Sequence, residues 1–153
     1  MRAPVRQRIG LLAAALWWGS LSALGFVVVP LLFMHLGSPA AAGAMAARLF
    51  SAQTWLSAGC AMLMLMAFNQ PGAASAPAPW VRNLMKSVVA GLLLALLVEF
   101  AVAPRIVSAR AEGASLRLWH GLGSAMYVAQ WLCAGWALWR LTARPGGDTD
   151  AAA

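Results

Sequence analysis

The chain has 153 residues, of which 62% are hydrophobic and only 10% are charged, and its formal net charge is +7. Soluble proteins average roughly 45–50% apolar and about 25% charged residues. A water-soluble globule of this composition would lack the polar side chains to cover its surface. The composition therefore argues against a soluble enzyme, a disordered tail or a disulfide-rich secreted module, and it predicts an integral membrane protein.

Four apolar runs predict four membrane-spanning helices, over residues 9–34, 49–68, 87–104 and 118–139. A bilayer core of about 30 Å requires about 20 helical residues, which these runs approach or exceed. The first run is also longer than the apolar region of about 7–15 residues in a signal peptide. We expect one all-α membrane domain over residues 1–153, a four-transmembrane-helix bundle, with residues 142–153 as a flexible tail. No internal repeat is evident.

The positive charges predict the orientation of the chain. Seven Lys and Arg residues fall on the side of the two termini, and four fall on the other side. Because positively charged flanks stay in the cytoplasm, both termini should be cytoplasmic. The abundance of alanine and arginine is typical of a bacterial protein, so the predicted location is the bacterial inner membrane. Lipid headgroups account for the net charge, and no nucleic acid is expected as a partner.

Glu99 is the one acidic residue within a predicted span. A charged side chain in a bilayer is costly, by ~2.5–3.5 kcal/mol for Asp on the insertion scale, so it requires a partner, a proton or a function. Arg48 or Arg105 could neutralise the carboxylate, whereas a cation or proton site is the alternative. The sequence leaves both interpretations open.

Polar residues follow helical spacing in two of the spans. The second span carries Gln53, Ser57, Cys60 and Met64 on one stripe, and the fourth carries His120, Ser124, Tyr127 and Gln130 on another. Such stripes must face protein or a wet cavity rather than lipid. With Glu99, Arg48 and His35, most of these groups fall in the predicted periplasmic half, so Glu99, Arg48, Gln53 and Ser124 are candidates for ligand binding or an ion pair.

His35 and His120 are expected at a similar depth and are candidate ligands for haem iron, copper or zinc. Interfacial histidines that only form hydrogen bonds are the alternative. The sequence contains no CxxC, HExxH, phosphate-binding loop or Ser-His-Asp grouping, and no catalytic residue is predicted. Small residues, among them Gly19 and Gly121, are expected where helices pack closely.

The segments LWWGSLSALGFVVVPLLFMHLG, MAARLFSAQTWLS and RLWHGLGSAMYVAQWL resemble a bacterial four-span family of unknown function related to transmembrane protein 205. The resemblance covers most of residues 9–141 and is most specific at eight positions: Gly25, Phe26, Pro30, Arg48, Leu49, Phe50, His120 and Ser124. It adds Gly25 and Pro30 to the expected packing positions. The layout is remotely similar to copper-resistance D-type proteins and HemJ-type protoporphyrinogen oxidases, which implies His35 and His120 as metal or haem ligands.

These observations predict an inner-membrane protein with a polar site near the periplasmic face that binds or helps to move a cation, a metal or a small solute. A haem-binding membrane oxidoreductase and a structural or assembly factor without ligand are the alternatives. The lipid bilayer is the expected environment, and a second copy or another membrane protein is an expected partner.

Overall fold

A computed structural model of the chain describes residues 3–69, 77–112 and 115–143, and within them the side chains of residues 5–69, 77–109 and 115–143. The regular structure over these ranges is helical. In chain order it consists of α1 (Ala3–Ala23), a first π turn (Leu24–Val28), α2 (Val29–His35), α3 (Pro39–Phe68), α4 (Pro79–Leu97), a second π turn (Val98–Val102), α5 (Ala103–Glu112) and α6 (Leu116–Thr142). Most of the predicted tail, residues 144–153, lies outside the described residues.

Three helices over the described ranges are long and apolar enough to cross a membrane: Val5–His35, Pro39–Phe68 and Pro79–Ala109, with mean hydropathies of 1.9, 1.4 and 2.2. They correspond to the first three predicted spans. The fourth predicted span lies within α6, which is 27 residues long. Its histidine, glutamine, tyrosine and tryptophans lower its mean hydropathy, and α6 is not among the three.

The helices extend beyond the predicted apolar runs. Helix α3 begins at Pro39 rather than at 49, because Ser38 accepts a hydrogen bond from the Ala41 N–H as its N-cap and proline occupies the first turn. The alanine-rich segment that follows favours helix. The charged residues 105–112 also remain helical.

The two π turns have the same local cause. Each turn ends two residues before a proline, Pro30 after Val28 and Pro104 after Val102. Proline has no N–H to donate, and its ring collides with the carbonyl four residues earlier in a regular α-helix. A wider turn relieves this collision, and the Val29 and Ala103 N–H groups donate five residues back, to Leu24 and Val98.

The second half of the chain repeats the layout of the first, although the sequence alone did not reveal it. The first hairpin, residues 3–68, contains LGFVVVP at 24–30, and the second hairpin, residues 79–142, contains VEFAVAP at 98–104. Four buried positions of α1 match four buried positions of α4 at a constant offset along the chain: Gly10, Ala14, Trp17 and Leu21 match Leu84, Val88, Gly91 and Ala95. Four of α3 (Gln53, Ser57, Cys60, Met64) likewise match four of α6 (Gln130, Ala134, Ala137, Leu141).

Equivalent residues of the two hairpins also contact each other. The rings of Phe50 and Tyr127 meet edge to face, with centroids 5.3 Å apart. The Trp17 ring lies over Gly91, where an added Cβ would be 2.8 Å from Cη2 of the indole. Contacts of this kind are expected around an approximate two-fold axis. The hairpins are joined through contacts of α1 with α6 and of α3 with α4.

The hydrophobic core is formed mainly by small residues of α1, α3, α4 and α6, which pack around the fully buried side chain of Trp17. At one end of the molecule Arg6 ties the start of α1 to the end of α3. Its guanidinium donates to the carbonyl oxygens of Ala67 (2.7 Å) and Asn69 (3.2 Å), which α3 leaves without partners as it ends. The core therefore positions polar groups from neighbouring helices against one another.

Candidate functional site: a carboxylate at a π turn

Glu99 lies in the second π turn, and its carboxylate faces α3. The hydroxyl of Ser51 donates to Oε1 of Glu99 at 2.6 Å. Both side chains are half-buried. The contact joins a carboxylate of the third predicted span to a hydroxyl of the second, close to the middle of α3.

Neither candidate arginine pairs with Glu99 among the residues that the structure describes. Arg48 is exposed. The guanidinium of Arg105 lies over the Trp119 ring, 5.2 Å from its centroid, in a cation–π contact. Among the described side chains, those of residues 5–69, 77–109 and 115–143, Ser51 is the hydrogen-bond partner of this carboxylate.

Gln53 belongs to a separate, buried network. Its Nε2 donates to the hydroxyls of Ser20 (2.9 Å) and Ser57 (3.3 Å). Gln130 of α6 donates to the same Ser57 oxygen at 3.0 Å, while Ser57 donates to the backbone carbonyl of Gln53. Gln53 and Gln130 are equivalent positions of the two hairpins, and the network connects α1, α3 and α6 across the middle of the molecule.

The first π turn is contacted by the chain's own tyrosine. The hydroxyl of Tyr127 donates to the carbonyl oxygen of Leu21 at 2.8 Å. A Cβ on Gly25 would lie 2.7 Å from Cε1 of the same ring, so only glycine leaves room for the tyrosine there. Gly25 is the position equivalent to Glu99. One π turn therefore faces a phenol, and the other carries a carboxylate.

The remaining candidates lie apart from Glu99 in the described contacts. His35, His120 and Ser124 are exposed, and over the described ranges no group of three His, Cys, Asp or Glu side chains could hold a metal ion. Ligation of haem or copper by His35 and His120 stays a prediction.

Of the predicted packing positions, Gly25 is in close contact and Pro30 lies in the first turn of α2. Gly19 and Gly121 have open space where a Cβ would lie. Close approaches occur instead at Gly10, Gly91 and Gly135, where an added Cβ would be 2.4–2.8 Å from Phe68, Trp17 and Trp18.

Sequence reasoning missed Ser51 and Ser20. Ser51 is off the polar stripe of α3, because it lies two residues before Gln53 and so on another face. The depth of Ser51 in the predicted span could have indicated the contact. Ser51 lies about one helical turn from Arg48, and Glu99 lies less than two turns from Arg105, so both side chains are expected at a similar depth.

A family model described as "Domain of unknown function (DUF4149)" matches residues 12–115, from the first helix to the start of α6. The chain belongs to this family. The matched part of the DUF4149 protein includes Glu99, Ser51 and Gln53, whereas Tyr127 and Gln130 lie beyond it. Searches of curated proteins and of solved structures give no significant match.

Proposed function

We propose that this DUF4149 protein binds a small, hard cation at Glu99, in a four-helix bundle that spans the bacterial inner membrane with both termini in the cytoplasm. The observation that carries the proposal is the Glu99–Ser51 pair: a half-buried carboxylate in an apolar helix, with a serine hydroxyl as its described partner.

The chemistry of the pair favours a cation. A carboxylate offers about four acceptor positions on two oxygens, and one hydroxyl fills one of them. Within the described side chains the partner is a neutral serine, which does not compensate a negative charge that costs a few kcal/mol in a bilayer. A carboxylate and a hydroxyl together supply the oxygen ligands that hard cations prefer.

The comparison of the two hairpins supports a specialised role for Glu99. Single π turns occur frequently at functional sites. The first hairpin has glycine at the equivalent position, and Tyr127 packs against it. The position equivalent to Tyr127 is Phe50 in the first hairpin, which has no hydroxyl, and the described partner of Glu99 is Ser51 instead. Helix packing around a π turn therefore requires no acid at this position.

The fourth span is proposed to be α6. At 1.5 Å per residue its 27 residues extend about 40 Å, enough to cross a bilayer. It also occupies the place in the second hairpin that α3 occupies in the first. With four spans and more Lys and Arg near the termini, Glu99 lies towards the periplasmic side. The resemblance to the transmembrane protein 205 type of family implies the same layout.

The test is cation-dependent stability of the full chain in nanodiscs, with Na⁺, K⁺, Mg²⁺ and Ca²⁺ as chlorides at constant ionic strength. A ligand at 100 times its Kd stabilises the folded state by about 2.7 kcal/mol. We expect at least one of the four cations to raise the Tm of the wild type and of Glu112→Gln but not of Glu99→Gln. An equal shift in Glu99→Gln, or no shift in the wild type with any of the four cations, contradicts the proposal.

A second candidate function is a structural or assembly role without ligand. The closed network of Gln53, Ser57 and Gln130 favours it, because interhelical hydrogen bonds fix how helices pack in a membrane. Under this alternative, Ser57→Ala lowers the yield of folded protein, whereas Glu99→Gln leaves every property of the protein unchanged except its net charge.

A further inference from the structure

An open, largely apolar groove of about 800 Å³ runs along the last turns of α6. It is lined by Trp131, Trp136 and Trp139 of α6, with Trp18 of α1 and Ser87 of α4. The volume falls within the roughly 300–1,000 Å³ typical of small-molecule sites. The groove lies far along the chain from Glu99, at the side of the molecule where α6 ends and α4 begins.

Positive charge accompanies this apolar surface. The guanidinium carbon of Arg140 lies 5.4 Å from the centroid of the Trp136 ring, which lines the groove. Lys86 is exposed and directly precedes Ser87, another lining residue. Since α4 starts and α6 ends on the same side of the molecule, both charges belong to one membrane surface.

The first hairpin shows that bundle packing does not require these groups. At the equivalent positions, Trp136 and Trp139 are replaced by Gly59 and Met62. Arg140 and Lys86 are likewise replaced by leucines, at 63 and 12. The buried positions on the same helices nevertheless match between the hairpins. The tryptophans and the two charges are therefore an addition to the second hairpin alone.

We propose that this groove binds an anionic glycerophospholipid, with an acyl chain along the tryptophans and the phosphate at Arg140 and Lys86. Tryptophan prefers the boundary between headgroups and acyl chains. Basic residues near a membrane surface attract anionic lipid by about 1 kcal/mol each. With the termini in the cytoplasm, the lipid lies in the inner leaflet. The site is independent of Glu99.

The test is quenching of tryptophan emission of the full chain in vesicles of unbrominated lipid that contain increasing fractions of brominated phosphatidylglycerol or brominated phosphatidylcholine. We expect phosphatidylglycerol to reach half-quenching at a mole fraction at least five-fold lower. Arg140→Gln should reduce this preference about five-fold, which corresponds to ~1 kcal/mol at 1.4 kcal/mol per decade. Lys86→Gln, at an exposed position, should reduce it in the same direction.

Arg82→Gln is the matched control, since Arg82 is exposed near the start of α4 but, unlike Arg140 and Lys86, neither stacks on a lining tryptophan nor adjoins a lining residue in the chain. It removes one charge from the same surface and should leave the preference as in the wild type. Equal quenching by the two lipids overturns the proposal, and so does an equal loss in Arg82→Gln and Lys86→Gln, which would indicate unspecific surface charge.

Discussion

The contact between Trp17 and Gly91 gives the sharpest structural prediction. A Cβ at position 91 would lie 2.8 Å from Cη2 and 3.0 Å from Cζ2 of Trp17, and 3.2 Å from the Cβ of Cys133. Trp17 has no exposed surface, so its ring has no open space into which it could withdraw. Gly91→Ala should therefore force α1 and α4 apart by a few tenths of an ångström.

The matched control is Gly19→Ala. Gly19 also lies within a long helix, but nothing is within 4 Å of its Cβ position. Both substitutions gain the same intrinsic helix propensity of about 1 kcal/mol, so their difference isolates the collision. Inserting a methyl group into a well-packed core costs about 1–3 kcal/mol. We expect Gly91→Ala to be less stable than Gly19→Ala by that amount.

The assay is reversible unfolding in mixed micelles with increasing dodecyl sulfate, followed by circular dichroism. The free energy of unfolding of each variant is compared with that of the wild type. Equal stability of Gly91→Ala and Gly19→Ala would refute the close packing of Trp17 on Gly91, and with it one of the contacts that relate the two hairpins.

The same unfolding assay checks three further predictions. Ser57→Ala removes the acceptor shared by two buried glutamine amides and should cost ~1–2 kcal/mol, whereas Ser124→Ala, at an exposed site, should change little. Tyr127→Phe loses its hydrogen bond to the helix before the first π turn and should cost ~0.6–1.7 kcal/mol; an unchanged midpoint would argue against that bond. Arg6→Ala frees two carbonyl groups at the end of α3 and should cost ~1 kcal/mol, and a similar loss in the exposed Arg8→Ala would point to general charge effects instead.

Local patterns predicted the helices and one buried face. The stripe of Gln53, Ser57, Cys60 and Met64 on α3 is confirmed, since all four side chains are buried. Periodicity along one helix is sufficient for this prediction, because lipid cannot satisfy polar groups and the stripe must turn inwards. The stripe of α6 is buried at Gln130, but Ser124 and His120 are exposed.

The site depended on contacts that no single helix encodes. Glu99 contacts Ser51, and Arg105 contacts Trp119, and in each pair the two side chains belong to different helices. The offset between the hairpins is larger for α3 and α6 than for α1 and α4, because α5 has 10 residues whereas α2 has 7. A constant-period search therefore misses the repeat, whereas the matched π turns and buried positions reveal it.

Infrared difference spectroscopy of the full chain in nanodiscs tests the proposed cation site most directly. Exchange of the buffer between cations at constant pH perturbs the stretching bands of a carboxylate that binds them. We predict a carboxylate difference band in the wild type and in Glu112→Gln that is absent from Glu99→Gln and shifted in Ser51→Ala. A band that persists in Glu99→Gln, or a wild type without any such band, would contradict a cation site at Glu99.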